Sequence, residues 1–308
     1  MGVGQSAWCN HLNAAEAFAS YERVRHRLPA AKPCPDYKNL PSLDALADEI
    51  DVFLLDAFGV LNIGDTAIEG VPERIARLQK AGKRVLVVSN AAGFPHAKLM
   101  EKYKRLGYDF APEDVITSRK ATLHAMENAP PFRWGLMATQ SLGRGDIEPF
   151  DMVYLMEDST TYDEVDAFIL LGSAAWNDER QSLLEATLKN LPRPVYVGNP
   201  DIVAPREDGF SIEPGHFAHR LADRTSVEPQ FFGKPFGNIF DLTFSHLGNI
   251  DYSRTVMVGD SLHTDILGGQ AAGLKTALIS GYGFFAGQDV EAPIAASGIC
   301  PDYILERP

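Results

Sequence analysis

Cysteine is scarce in this chain of 308 residues, which contains only Cys9, Cys34 and Cys300 and no Cys-x-x-Cys pair. An odd and sparse set of cysteines argues against a disulfide framework and against a zinc site, and it is typical of a protein of the reducing cytoplasm. The sequence also lacks any stretch of about 18 apolar residues, so we expect no transmembrane helix. Its first residues do not show the basic segment and apolar run of a secretory signal.

Positive charge is also in short supply, because 28 lysines and arginines stand against 41 aspartates and glutamates, for a net charge of -13. Nucleic acids and anionic membranes both require a positive surface. The charge balance therefore argues against either as the main partner. It leaves room for a local positive pocket that binds a small anion.

Short, uninterrupted apolar segments occur in two parts of the chain, and most of them are followed by a helical pattern. Continuous rather than alternating hydrophobicity indicates strands that are buried on both faces, as in a parallel sheet. Alternation of such strands with helices predicts an α/β fold with a doubly wound parallel sheet. The predicted strands of this main sheet are 52–56, 84–90, 231–234, 255–260 and 276–279.

The interval between the second and third of these strands is on the order of 100 residues longer than one strand–helix–strand step requires, which is enough for a further domain. It contains strand candidates at 135–137, 152–155, 167–171 and 195–197, and helix candidates at 118–128 and 178–190. We therefore predict a core domain (50–115 and 225–308) with an inserted α/β cap domain (116–224). Residues 1–49 are predicted to be a polar leader that lies over the surface, with a short helix capped by Ser42.

Side chains able to do chemistry follow the predicted main-sheet strands at their carboxyl ends, where open α/β sheets bind ligands. They are Asp56, Ser89, Asn90, Lys234, Asp260 and Asp265. Two carboxylates on neighbouring strand ends repel each other unless a cation lies between them, and a site made only of oxygen ligands suits Mg²⁺. A hydroxyl beside backbone N–H groups, together with a lysine, suits a phosphate. Each residue alone is typical of a cap or a loop, and it is their order and spacing that indicate a phosphate site.

Four segments together resemble the motifs of the haloacid dehalogenase superfamily of hydrolases. They are 55–61 (LDAFGVL), 88–91 (VSNA), 233–235 (GKP) and 258–266 (VGDSLHTDI). The insertion between the second and third motifs, with 69–72 (EGVP) and 198–201 (GNPD), is similar to the class IIA branch, the nitrophenylphosphatase-like and sugar-phosphatase-like members. The resemblance covers about residues 45 to 305 and leaves the leader unexplained.

The resemblance implies a metal-dependent phosphatase with Mg²⁺ as its cofactor. Asp56 would be the nucleophile and a metal ligand, and it would form an aspartyl phosphate. The backbone carbonyl of Phe58 and the carboxylate of Asp260 would be further ligands, with Asp265 supporting the site.

The other matching residues would bind the substrate, a small phosphorylated metabolite. Ser89 and the N–H of Asn90 would hold the phosphate, and Lys234 would neutralise Asp56 and the phosphoryl oxygens. The cap would close over the core and read the leaving group, and relatives of this branch commonly form homodimers through their caps.

Phe58 departs from the pattern of the superfamily, whose phosphatases usually have an aspartate at this position to protonate the leaving oxygen and then activate water. Acid–base catalysis contributes about 10²–10⁴-fold in rate. Three explanations compete: a substrate with a good leaving group such as an aryl or acyl phosphate, another proton carrier, or phosphate binding without useful turnover. The candidate carriers are Asp201, His216 and His219, of which Asp201 and His216 are also candidates for substrate specificity.

An aromatic residue at position 58 is also found in dehalogenases of the superfamily, so metal-independent cleavage of a carbon–halogen bond is an alternative. Those enzymes need no metal and usually carry a small helical cap after the first motif. This sequence instead keeps Asp260 and Asp265 and has its insertion later. The phosphatase is therefore the favoured interpretation.

Overall fold

The computed structural model describes residues 12–34, 36–206 and 209–308. Cys9 lies outside these ranges. The strands are β1 (Lys38–Ser42), β2 (Val52–Leu55), β3 (Asn62–Ile63), β4 (Thr66–Ala67), β5 (Arg84–Ser89), β6 (Val115–Thr117), β7 (Trp134–Met137), β8 (Met152–Tyr154), β9 (Ala167–Leu170), β10 (Val195–Val197), β11 (Val203–Arg206), β12 (Gly209–Ile212), β13 (Gln230–Phe231), β14 (Thr255–Gly259), β15 (Lys275–Ile279) and β16 (Tyr303–Arg307). The α-helices are α1 (Ala14–Arg23), α2 (Val71–Lys80), α3 (His96–Arg105), α4 (Ser118–Glu127), α5 (Ser159–Asp163), α6 (Asp178–Asn190), α7 (Pro214–Arg224), α8 (Gly237–Leu247), α9 (Leu267–Ala271) and α10 (Glu291–Ser297).

The main sheet has seven strands in the order β1-β16-β15-β14-β2-β5-β6. All neighbouring pairs are parallel. From β2 the chain moves outward through β5 and β6, and it later continues on the other side of β2 with β14 and β15. The strand order therefore reverses between β2 and β14, and ligands of open α/β sheets bind at such a point. The predicted α/β fold with a doubly wound parallel sheet is confirmed.

The continuous hydrophobicity of β2 reflects burial on both faces of this sheet. Because successive side chains of a strand point to opposite faces, Phe53 and Leu55 join one hydrophobic cluster and Val52 and Leu54 join another. Side chains of α2 and α3 complete the first cluster, and those of α8 complete the second. The sheet is thus covered by helices on both sides.

A second sheet of five strands has the order β13-β10-β9-β7-β8, and its neighbouring strands are also parallel. Here one prediction is wrong: the apolar segment at 231–234 does not add a strand to the main sheet. Its first residue belongs to β13, which pairs with Tyr196 and Val197 of β10. An apolar run indicates burial, but it does not specify which sheet supplies the hydrogen-bonding partners. We propose that the two sheets correspond to the core and cap domains expected from the sequence.

The leader is more integrated than a segment lying over the surface. Its residues 38–42 form β1, which is the edge strand of the main sheet beside β16. Ser42 ends that strand and makes no cap hydrogen bond, and only one 3₁₀ turn, Leu43–Leu46, follows it. The N-terminus of the helix α1 is capped by a capping box, in which the side chains of Asn13 and Glu16 each accept a hydrogen bond from the backbone N–H of the other residue.

Cys34 and Cys300 form a disulfide between the leader and the segment before β16. The sparse cysteines argue against a disulfide framework, and the structure nevertheless pairs these two residues. Their separation of 266 positions in the chain does not predict their proximity, since the fold alone brings the leader beside the C-terminal strand.

No helix within the described ranges is both long enough and apolar enough to span a membrane.

Candidate active site

Asp56 and Asp260 follow the two neighbouring strands at which the order of the main sheet reverses. Leu55 of β2 and Val258 of β14 are paired in register, and the N–H of Asp56 donates to the carbonyl of Val258 at 2.9 Å. Gly59 follows with a φ of +73°, and a Cβ atom there would overlap the Asp260 carboxylate. The sharp turn after β2 therefore requires glycine so that the two acidic residues can approach each other.

Lys234 lies between two of the acidic side chains. Its Nζ contacts Oδ1 of Asp56 and Oδ1 of Asp265, each at 2.7 Å, and the lysine is only 1% exposed. Burial alone would lower the pKa of Lys234, but the charges of Asp265 and Asp56 outweigh burial and raise the pKa above its usual value. The ammonium group is therefore held charged beside Asp56.

A single turn of π-helix, Leu262–Ile266, places Asp265 beneath this site. Such turns are rare and often occur at functional sites. The Asp265 Oδ2 atom accepts the N–H of Ser261 at 3.1 Å, and the Asp260 Oδ2 atom accepts the N–H of Phe284 at 2.8 Å. Burial is the main cause that raises the pKa of both the Asp260 and the Asp265 carboxyl groups. The pKa of Asp265 is raised to about 6, since the charge of Lys234 opposes the rise and the charge of Asp56 adds to it.

The three carboxylates fit a divalent cation. One oxygen from each of Asp56, Asp260 and Asp265 lies within 4.8 Å of the others. Lys234 is the cation that contacts this group among the described residues, so three acidic side chains face one ammonium. Oxygen ligands of this kind suit hard cations such as Mg²⁺.

Ser89 and Asn90 end the next strand, β5, and both are buried. The Asn90 side chain accepts the N–H of Lys234 at 2.8 Å and donates to the Lys234 carbonyl at 2.9 Å. It thereby holds the loop that carries Lys234, although that loop follows a strand of the other sheet. The roles of Ser89 and of the Asn90 N–H in phosphate binding remain predictions.

A cavity of about 460 Å³ lies above this edge of the main sheet, with a smaller one of about 40 Å³ beside it. Ser89 lines the larger cavity, and Lys234 and Asp260 line the smaller one. The residues that line both are Asp56, Phe58, Asn90, Asp201 and Ala204. The structure therefore brings together the six residues at the strand ends, Phe58 and Asp201.

His216 and His219 are placed elsewhere. Both lie on α7, and neither is among the described residues that line the two cavities. Burial lowers the pKa of both imidazoles, to about 4 for His219, whose ring stacks on Phe231. Neither histidine is therefore in position to exchange a proton with a substrate in the cavities.

The β11–β12 hairpin contributes polar residues to the larger cavity that the sequence reasoning missed. Arg206 pairs with Glu213 at 2.8 Å, and Ser211 donates to the same carboxylate at 2.6 Å. Arg206 and Ser211 lie in two short antiparallel strands that contain no apolar run, and Glu213 follows the second strand. The alternation of the hairpin is too brief to distinguish it from a loop.

Tyr21 of the leader helix α1 is a second missed residue. It lines the smaller cavity, and its hydroxyl accepts the N–H of Ile202 at 3.2 Å. Its ring stacks on His263 of the π-helical turn at 5.0 Å between ring centroids. No motif in the sequence marks Tyr21, because its hydrogen bond with Ile202 joins residues that are 181 positions apart in the chain.

Comparison with known proteins places this site in a family. Residues 53–142 match the family model of haloacid dehalogenase-like hydrolases, and residues 231–307 match a second model described as HAD-hydrolase-like. The chain is 31% identical over 295 residues to the glycerol-3-phosphate phosphatase of Gallus gallus, an alignment that covers 85% of this chain and 91% of that protein. It is 29% identical over 229 residues to the acid sugar phosphatase of Staphylococcus aureus, which covers 73% of this chain and 84% of the relative.

Among solved structures, a possible sugar phosphatase of the HAD superfamily from Cytophaga hutchinsonii matches with a TM-score of 0.75 and 25% identity, covering 88% of this chain and 98% of that one. The chain therefore belongs to the haloacid dehalogenase-like hydrolases, as its motifs predicted. Within that family it is a phosphoric monoester hydrolase, and its relatives are consistent with the class IIA branch.

Proposed function

We propose that this chain is a Mg²⁺-dependent phosphatase that hydrolyses small phosphorylated metabolites through an Asp56 phosphoenzyme. The observation that carries the proposal is the contact of Lys234 with both Asp56 and Asp265, next to Asp260 and to the end of β5. This arrangement supplies a carboxylate nucleophile, a fixed cation and a set of oxygen ligands at one edge of the sheet.

Asp56, Asp260 and the carbonyl of Phe58 would hold the metal ion, with Asp265 supporting them. The ion would supply positive charge that offsets the repulsion between the carboxylates and the phosphate. Lys234 holds the Asp56 side chain in place through a direct contact, and a carboxylate can attack phosphorus to form an acyl phosphate. Ser89 and the N–H of Asn90 would hold the phosphoryl oxygens.

The size of the cavity and the relatives both favour a small substrate. A volume of about 460 Å³ suits a metabolite rather than a polymer. The relatives are named for glycerol 3-phosphate, sugar phosphates and phosphoglycolate. Since Phe58 has no acidic proton, esters with good leaving groups are expected to react fastest unless another residue of the cavity donates a proton to the leaving oxygen.

A cytoplasmic location and a homodimer formed through the cap remain predictions from the sequence. The Cys34–Cys300 disulfide removes the cysteine count as an argument for a reducing compartment. Sedimentation of the purified protein, with and without substitutions in the cap, would test the dimer.

The proposed function is tested with p-nitrophenyl phosphate at saturating Mg²⁺. The Asp56→Asn variant removes the nucleophile, so we expect turnover to fall by at least about 10³-fold, and EDTA should abolish it in the wild type. Asp109→Asn is the matched control, because Asp109 is exposed and lies outside both cavities. Turnover that survives both Asp56→Asn and EDTA would contradict the mechanism.

The alternatives give different results in the same assay. A phosphate-binding relative without turnover would bind inorganic phosphate but hydrolyse no ester of a broad panel. A dehalogenase would release halide from a haloacid in the presence of EDTA. The phosphatase relatives and the three clustered carboxylates both argue against the dehalogenase.

A further inference from the structure

Phe58 leaves the site without the usual proton carrier, and the structure places the carboxyl group of Asp201 beside the expected phosphate position. Asp201 lies between β10 and β11, and it lines both cavities together with Asp56 and Phe58. Its Oδ1 atom accepts a hydrogen bond from Nδ2 of Asn90 at 2.7 Å. The carboxyl group therefore faces the end of β5, where the phosphate is expected to bind.

The segment that carries Asp201 is held on both sides. The Asp201 N–H donates to Oδ1 of Asn199 at 3.0 Å, and its carbonyl accepts the N–H of Gly215 at 2.9 Å. A Cβ atom on Gly215 would overlap the carbonyls of Pro200 and Asp201, so the start of α7 packs directly against this turn. The position of the carboxyl group is thus defined by backbone contacts and by Asn90.

The Oδ2 atom of Asp201 receives no hydrogen bond from the part of the chain that the structure describes. One oxygen of the carboxyl group is therefore fixed, and the other is available to a ligand. Burial, opposed by Asn90 and reinforced by the charge of Asp56, raises the pKa of Asp201 to about 8. A carboxyl group with such a pKa keeps its proton at neutral pH and can donate it.

Two other polar residues that line the cavities, Glu213 and Tyr21, are engaged elsewhere. Glu213 accepts hydrogen bonds from Arg206, Ser211 and Asn199. The Tyr21 hydroxyl is bonded to the backbone of Ile202 and Val203. Burial is the first cause that raises the pKa of Tyr21 well above its usual value, and the charge of Asp201 is the second.

We propose that Asp201 is the general acid and base that replaces the missing carboxyl group at position 58, and that the substrate class therefore includes alkyl phosphates with poor leaving groups. This inference rests on the proposed function. In the first step the Asp56 carboxylate bonds to phosphorus, and the bond between phosphorus and the leaving oxygen breaks. The leaving oxygen keeps the electron pair and takes the proton from Asp201, which becomes a carboxylate.

In the second step a water molecule attacks phosphorus and gives one proton to the Asp201 carboxylate. The bond between phosphorus and Asp56 breaks, and its electron pair returns to the Asp56 carboxylate. Inorganic phosphate leaves, and both aspartates regain their initial states. The alcohol and the phosphate together account for all atoms of the ester and the water.

The test compares leaving groups of increasing basicity, namely p-nitrophenyl phosphate, phenyl phosphate and glycerol 3-phosphate. The Asp201→Asn variant keeps an oxygen that can accept the Asn90 bond but has no acidic proton. We expect kcat/KM, which reports the steps up to loss of the leaving group, to fall by about 10²–10⁴-fold for glycerol 3-phosphate and by less than about 10-fold for p-nitrophenyl phosphate. The value of kcat should fall for all three esters, because hydrolysis of the phosphoenzyme also uses Asp201. Glu213→Gln, another cap carboxylate that lines the larger cavity, should affect the three esters alike.

A rescue separates catalysis from structure. Phe58→Asp in the Asp201→Asn background supplies a carboxyl group at the usual position, and it should restore at least about 10-fold of the lost rate on glycerol 3-phosphate. A merely structural role for Asp201 would lower kcat/KM on all esters together and would not respond to Phe58→Asp. Equal losses of kcat/KM on aryl and alkyl esters, or no loss at all, would overturn the inference.

The wild-type protein gives a readout that does not depend on the folding of any variant. With an internal acid, kcat changes little between p-nitrophenyl phosphate and glycerol 3-phosphate; a steep decline, or hydrolysis of aryl esters alone, would overturn the role of Asp201. Whichever result is obtained for Asp201, hydrolysis of aryl phosphates that requires Asp56 and Mg²⁺ leaves the proposed function intact. Hydrolysis that requires neither would overturn the proposed function itself.

Discussion

Gly59 is the residue that lets the two strand-end carboxylates share one site. It lies in the left-handed region of the backbone map, and the space where its Cβ atom would be is occupied by Asp260. A second glycine, Gly283, also lies directly against this carboxylate. Asp260 is therefore enclosed by backbone, which explains how an acidic side chain only 4% exposed keeps a defined position.

Gly59→Ala should lower kcat on p-nitrophenyl phosphate by more than about 10-fold, because the added methyl group displaces Asp260 and costs about 1–2 kcal/mol in backbone strain. Gly82→Ala is the matched control. Gly82 has a φ of +80° with open space around it, and it lies before β5, at the opposite end of that strand from Ser89. This control variant should lose a comparable amount of stability but keep its kcat. If Gly59→Ala hydrolysed p-nitrophenyl phosphate at the wild-type rate, catalysis would not depend on the position that Asp260 has in the structure.

The helix α1 is the element that joins the leader to the β11–β12 hairpin and to the π-helical turn after β14. Its Tyr21 touches the backbone before the β11–β12 hairpin and stacks on His263 of the π-helical turn. Glu22 of the same helix contacts Nε2 of His263 at 2.6 Å. The helix thus connects the hairpin that lines the larger cavity with the turn that carries Asp265.

Tyr21→Phe should lower the free energy of unfolding by about 1–3 kcal/mol, because it keeps the stacked ring but leaves the buried N–H of Ile202 without its acceptor. Denaturation in urea measures this change. Tyr252→Phe is the control, because Tyr252 is 44% exposed and its ring contact with Phe244 does not need the hydroxyl. Equal stability of both variants would mean that the Tyr21 hydroxyl contributes nothing.

Elements with long and regular patterns were predicted within one or two residues. The structure places α4 at Ser118–Glu127 and α6 at Asp178–Asn190, close to the predicted 118–128 and 178–190. Elements of two to four residues, such as β3, β4 and the β11–β12 hairpin, were missed, because so few residues establish no periodicity. The segment after Asp260 forms a π-helical turn followed by α9, a division that hydrophobic spacing does not reveal.

At the scale of the whole molecule, the two ends of the described chain are tied to each other. The strand β1 pairs with β16, and the Cys34–Cys300 disulfide lies just before these two strands. A cross-link between residues so distant in sequence restricts the unfolded chain strongly in the chain-entropy description.

Reduction of the disulfide, or Cys34→Ser, should therefore lower the free energy of unfolding by about 2–5 kcal/mol. Thermal unfolding with and without dithiothreitol measures the effect, and the variant itself should show no response to the reductant. Thiol titration of the denatured protein is the direct check: one thiol should react before reduction and three afterwards, given the three cysteines of the sequence. Three reactive thiols without reduction would contradict the disulfide.

The sequence by itself determined the class of fold and the identity of most of the candidate site. Uninterrupted apolar strands are typical of a parallel sheet covered on both faces, and the carboxyl ends of parallel strands meet at one edge, so Asp56, Ser89 and Asp260 were predictable as neighbours. Only the tertiary structure decided that Lys234 reaches that edge from the other sheet, that Cys34 meets Cys300, and that Asp201, rather than His216 or His219, lines the cavities. The physical reason is that local hydrophobic patterns specify burial, whereas contacts between distant segments depend on how the two sheets pack together.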